Sequence, residues 1–208
     1  MEIAITLIIL IVSIIAHEVA HGYAANALGD PTARLAGRLT MNPVPHIDPL
    51  GSVIIPALLV VSGSPMLFGW AKPVPYNPYN LKNQRFGESI VAIAGSATNI
   101  LLAIIFGLIV RFGVGTLAPE ALSLAATIAF VNLFLGLFNL IPFPPLDGFT
   151  FLRGLLPLQL AMEFQRFEAQ MRGMGMMSLV LFLIVFSYVL AGPFSSLVVW
   201  IFRTIVGG

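Results

Sequence analysis

Long apolar runs dominate this chain, and the few polar residues inside them decide how it is read. From Ile3 to Ala16 only Thr6 and Ser13 interrupt the lipid-soluble side chains, which predicts a first spanning helix over Glu2–Ala27. Gly29-Asp30-Pro31 stops it. Leu50 to Val61 is a second apolar run, interrupted by Gly51 and Pro56. Its length falls short of the roughly 17–25 residues that a spanning helix needs, so a re-entrant segment is expected. Pro65, Pro73, Pro75 and Pro78 then forbid a continuous helix over Gly63–Phe86, where Trp70, Tyr76 and Tyr79 suit the membrane interface and strand edges are expected. Glu88–Phe112 and Ala121–Pro142 read as the second and third spans. Phe151–Gly175 mixes Leu, Met and Phe with Arg153, Glu163, Arg166, Glu168 and Arg172, as an interfacial amphipathic helix does. Ser178–Val206 is apolar again, either one helix kinked at Gly192-Pro193 or a span followed by a surface helix.

The fold class expected is an all-α membrane protein of about four transmembrane helices, with a re-entrant or β-hairpin segment between the first and second. Composition agrees: 58% of residues are hydrophobic and 9% charged, against roughly 45–50% and 25% in soluble domains. The 208 residues are read as one domain, with a catalytic core over about 1–150 and the amphipathic and C-terminal helices over 151–208. With only Glu2 flanking it, the first run reads as a retained helix rather than a signal peptide. A net charge of +1 gives no reason to expect nucleic acid, and the absence of cysteine excludes disulfides, thiolate ligands and a cysteine nucleophile.

Against this background His17-Glu18-Val19-Ala20-His21 is out of place. An ionisable side chain inside a membrane helix costs roughly 2.5–3.5 kcal/mol, so three together call for a partner or a task. His17 and His21 lie one helical turn apart on one face, where two imidazoles can bind one zinc ion, and Glu18 can act as the base that deprotonates the attacking water. A catalytic zinc takes three protein ligands. The candidates for the third are His46, Asp48 and Asp147. Asp147 stands out, because Pro142, Pro144 and Pro145 unwind the end of the third span and free it to point into the bundle. It can meet the histidines only if Leu50–Val61 is re-entrant, which agrees with the length argument. Eight of the ten Lys and Arg residues then fall on the metal side, leaving Arg111 and Arg203 opposite. The positive-inside rule makes that side cytoplasmic and places the amino terminus outside.

These residues resemble the site-2 protease family of intramembrane zinc metalloproteases. The resemblance rests on His17-Glu18-x-x-His21 in a membrane helix, Gly95-Ser-Ala-Thr-Asn99 as the family's Gly-x-x-x-Asn, and Asn139 to Leu146-Asp147-Gly148. It implies a minimal form without a PDZ or nucleotide-sensing domain, with one Zn2+ ion on His17, His21 and Asp147, Glu18 as general base, and membrane-anchored proteins as substrates, cut within or near their spans in the bilayer, which is expected to be the plasma membrane. Asn99 and Asn139 are candidates for the oxyanion donor or for holding substrate backbone, and His46 for an auxiliary role in the site. The rival reading is a metal- or proton-coupled transporter built on the same cluster.

Overall fold

The computed structural model describes residues 2–61 and 71–208. Among them the regular structure is entirely helical. Helix α1 spans Glu2–Ala27; after it come α2 (Thr32–Leu35), a 3-10 turn at Val44–His46, and a π-helical stretch, Pro49–Ile54, that runs into α3 (Ile55–Val61). Then follow α4 (Gly87–Gly113), α5 (Pro119–Asn139), α6 (Asp147–Leu155), α7 (Leu158–Gly173), α8 (Met176–Val185) and α9 (Ala191–Val206).

Four helical stretches are long and apolar enough to cross a bilayer: Ala4–Ala27, Gly87–Gly113, Pro119–Asn139 and Val180–Val206. Their packing is that of a bundle in lipid. Ile8, Ile11 and Val12 on α1 and Leu101 and Ile105 on α4 are exposed, whereas Ser13, His17, His21, Ser96, Asn99 and Asn132 are buried between helices. With no water outside, apolar side chains face outward and polar ones seek partners within.

The predicted elements need three adjustments. The amphipathic stretch begins at Asp147, not at 151, and is two helices, because Pro157 forces extended backbone on Leu156. The last apolar run is helical from Met176 to Val206, with a π-helical turn at Phe186–Leu190 just before Pro193. A proline ring collides with the carbonyl four residues back, and the wider turn makes room for it. Between α1 and α4 the described residues contain no strand; residues 62–70, part of the expected re-entrant or hairpin segment, lie outside the described residues.

What positions the site is the antiparallel pairing of α1 with α4. The end of α1 lies by the start of α4: His21 Nδ1 donates to the Val91 carbonyl at 2.7 Å, and farther along Asn99 Nδ2 donates to the Ser13 carbonyl at 3.2 Å. The chain thus leaves α1 and enters α4 at one end of the bundle, where Lys82 N–H also bonds to Leu28 O at 2.8 Å. Helix α5 returns to the same end and delivers α6.

Candidate metal centre

His17 and His21 sit near the end of α1, both buried, their ring centroids 4.6 Å apart and the rings nearly perpendicular. Asp147 opens α6, and its Oδ2 stands 2.9 Å from His17 Nε2 and 3.3 Å from His21 Nε2. The side chains of these three converge to within 4.8 Å of one another and form the described group of histidines and carboxylates that could hold a metal ion. Asp147 also lies where a helix N-terminus favours negative charge.

The donor atoms fit a cation on three counts. First, the Nδ1 atoms are committed: His21 Nδ1 to the Val91 carbonyl, which can only accept, and His17 Nδ1 to Asn99 Oδ1, each at 2.7 Å. An imidazole with its proton on Nδ1 presents a lone pair at Nε2, the usual arrangement of a metal-ligating histidine. Second, two lone pairs and a carboxylate oxygen at 2.9–3.3 Å repel unless something positive lies between them. Ligands of a tetrahedral zinc at roughly 2.0–2.1 Å stand about 3.3 Å from each other. Third, Gly95 on α4 leaves the space open. A Cβ there would lie 2.6 Å from both Nε2 atoms, inside the cradle the ion needs. Two nitrogens and one oxygen with no thiolate suit zinc in a catalytic, three-ligand site.

Glu18 is half-buried, one residue along the helix from His17. Its Oε2 accepts the Val74 N–H at 2.8 Å. Val74 belongs to an extended stretch, residues 71–77, that crosses the last turns of α1, and the approach depends on Gly22, where a Cβ would meet Val74 Cγ1 at 2.9 Å and Leu39 Cδ2 at 2.5 Å. Buried Asp30 anchors the far end of this stretch by accepting from Asn77 N–H at 2.7 Å and from the Asn80 side-chain amide at 2.9 Å. Arg38 holds the near end through the carbonyls of Lys72 and Pro73. Lys72, Val74 and Asn77 spend their N–H groups within this chain.

The remaining candidates fall in different places. Asn99 is fully buried and spends its amide hydrogens on Ser13 O and Asn132 Oδ1, so its place is behind His17 and not at an oxyanion. Asn139, in the last turn of α5, bonds to Leu135 O at 3.0 Å. His46 is buried in the 3-10 turn with Nε2 on Thr40 O at 3.0 Å, and Asp48 caps the π-helical stretch through Gly51 N–H; neither joins the metal group. Sequence reasoning passed over Val74, Gly22 and Asn132. The first acts through its backbone, the second through the side chain it lacks, and the third through tertiary bonds to Asn99 and Ser13.

Helix α6 is fixed from behind. Arg153 bridges Glu88 at the start of α4 and Glu168 on α7, at 2.6 Å each, and Phe143, in the loop before Asp147, stacks on Phe182 with centroids 4.9 Å apart.

Comparison with known proteins places this geometry. The family model described as "Peptidase family M50" matches residues 115–186. The chain is 38% identical over 200 residues to "Putative zinc metalloprotease YwhC" of Bacillus subtilis, covering 93% of this chain and 83% of that one. It is 30% identical to "Putative zinc metalloprotease Rip2" of Mycolicibacterium smegmatis, over 92% of this chain and 70% of the relative, and equally to the protein of that name in Mycobacterium tuberculosis. No solved structure matches.

Proposed function

The chain belongs to peptidase family M50, the site-2 proteases, and from that premise we propose that it is a zinc endopeptidase that cuts membrane-anchored substrates in or near their spans. The observation that carries this is the convergence of His17 Nε2, His21 Nε2 and Asp147 Oδ2, with Glu18 beside them on α1. His17, His21 and Asp147 would hold the ion. When bound, zinc supplies Lewis acidity, polarising the scissile carbonyl and making water a nucleophile at neutral pH.

The chain's own residues supply the rest. Glu18, one oxygen pinned by the Val74 N–H, offers the other to the attacking water, takes its proton and passes it to the leaving amine. Asn99 and Val91 hold the two imidazoles by their Nδ1 atoms. Asn139 is left as the candidate for holding substrate backbone near Asp147. His46 braces the extended stretch, since its carbonyl accepts the Lys72 N–H at 2.9 Å.

The whole of 1–208 acts as one domain on this reading. The segment between α1 and α4 is re-entrant on this reading: α1 ends and α4 begins at one end of the bundle, and the helical stretch Pro49–Ile54 with α3, among the described residues, is too short to span. That end carries most of the basic residues and faces the cytoplasm, with the amino terminus outside and the plasma membrane as the host. His17 lies ten residues before the end of α1, about 15 Å deep. The relatives are named as metalloproteases and lend the transport reading no support.

Purified protein presented with single-span substrates, with and without a chelator, tests the proposal. Chelator-sensitive cleavage is expected; metal or proton flux without cleavage would overturn it.

A further inference from the structure

Behind His17 lies a set of buried polar side chains that the reaction does not touch. Asn99 Nδ2 donates to the Ser13 carbonyl at 3.2 Å and to Asn132 Oδ1 at 2.8 Å. Asn132 Nδ2 donates to the Ile128 carbonyl and to Ser13 Oγ, each at 2.9 Å. Ser13, Asn99 and Asn132 are 4%, 0% and 1% exposed, so no solvent can replace a lost partner.

The direction of every bond in this set follows from its two backbone carbonyls, which can only accept. Ile128 O requires the amide nitrogen of Asn132 on its side, which turns Asn132 Oδ1 towards Asn99. Ser13 O and Asn132 Oδ1 together require the amide nitrogen of Asn99, which turns Asn99 Oδ1 towards His17. An oxygen there requires the proton of His17 on Nδ1, and that leaves the Nε2 lone pair facing Asp147 and Gly95. Flipping either amide would set oxygen against a carbonyl oxygen in a dry interior.

We propose that Asn132, a residue of α5 far in sequence from both histidines, is a positioning residue for the metal centre: with Ser13 it fixes the amide of Asn99 and thereby which nitrogen of His17 faces the ion. The inference rests on the metalloprotease reading for its consequence, though not for its geometry. His21 is an internal control, because its Nδ1 is set by the Val91 carbonyl and has no link to Asn132.

The test uses the full chain in detergent with 15N-labelled histidine, of which there are only three. In metal-free wild type, the Nδ1 protons of His17 and His21 are both expected to be protected from exchange with solvent. In Asn132→Ala the His17 proton is expected to exchange at least about tenfold faster while that of His21 is unchanged, and cobalt(II), the probe metal, to bind about tenfold more weakly. Asn132→Asp keeps an oxygen for Asn99 and, held neutral by burial, an O–H to donate to the Ile128 carbonyl in place of the amide, and it restores both. A purely structural role would weaken both histidines together or leave both alone. Unchanged His17 exchange in Asn132→Ala with His21 intact, or equal loss of cobalt affinity in the two variants, overturns the proposal. Should Asn132→Ala fail to fold, seen as loss of the His21 signal too, Asn132→Asp decides: a protected His17 proton sustains the proposal, and its loss beside an intact His21 overturns it. If wild type binds neither cobalt nor zinc, the metalloprotease reading fails, yet proton exchange in the metal-free protein still decides the role of Asn132.

Discussion

Glu18 and Val74, 56 residues apart in sequence, are joined by a backbone N–H donated to a carboxylate oxygen at 2.8 Å. The bond fixes the rotation of the expected base about its own side chain. It also ties the extended stretch 71–77 to the helix that carries both histidines. Val74 gets close enough only because position 22 has no Cβ. Gly22→Val is therefore expected to push the stretch off α1 and misplace Glu18, lowering kcat by up to about 100-fold. Zinc content should stay at the wild-type value, because the atoms nearest a Cβ at position 22 belong to Leu39, Val74 and Ala33 and not to either imidazole. Steady-state kinetics beside metal analysis checks this, and loss of zinc in that variant would show that the stretch supports the ligands instead.

Gly95→Ala should have the opposite profile. Its new Cβ would stand 2.6 Å from both Nε2 atoms, where the ion belongs. Zinc affinity is expected to fall by about 100-fold or more, with the helical content of the protein kept, since alanine is the better helix former. Isothermal titration of the metal-free variant measures it directly, and near wild-type affinity would move the ion elsewhere.

Asp30 gives the protein a dependence on acid. Burial by itself raises its carboxyl pKa, but bonds from the Thr32 hydroxyl, the Asn80 amide and the N–H groups of Asn77 and Thr32 outweigh that and hold it below the ordinary value. A carboxyl whose folded pKa is lowered contributes its full stability above the unfolded value, roughly 3.9, and loses it as pH falls through the folded one. Wild type should thus be more stable than Asp30→Asn at pH 7, and the gap should close as pH drops below about 4. Thermal unfolding across that range reads the gap, and a constant difference would mean that the carboxylate charge is not what anchors residues 77–80.

Orientation can be tested because the chain has no cysteine of its own. Cysteine introduced by Val114→Cys, at the far end of α4, is expected to react with a membrane-impermeant thiol reagent added to intact cells. Cysteine from Arg166→Cys on α7 should react only after lysis. The reverse pattern would turn the site towards the outside.

The spans and the convergence of His17, His21 and Asp147 were legible because each stands against a uniform background. In an apolar run a histidine pair or the end of hydrophobicity is a large signal, and α1 begins and ends at the expected residues. Asp147 was legible as chemistry but not as a helix start; the prolines before it mark the end of α5 without saying that α6 begins at once. The role of Asn99 was hidden for a similar reason. A polar residue in a span must bond to something, but only tertiary structure shows that its partners are His17, Ser13 and Asn132, which leaves no hydrogen for an oxyanion. His46 read as an accessory to the site, and its burial, with its carbonyl on the Lys72 N–H, depends on contacts that no local pattern encodes.

On the proposed function, Glu18 moves the proton in a hydrolysis that His17, His21 and Asp147 make possible. Glu18→Gln keeps an oxygen for the Val74 N–H and leaves the three ligands untouched. Reconstituted with a panel of single-span substrates, it is expected to retain one zinc per chain and to lose at least about 100-fold in cleavage rate. Cleavage at the wild-type rate by the zinc-loaded variant would mean that Glu18 does not carry the proton.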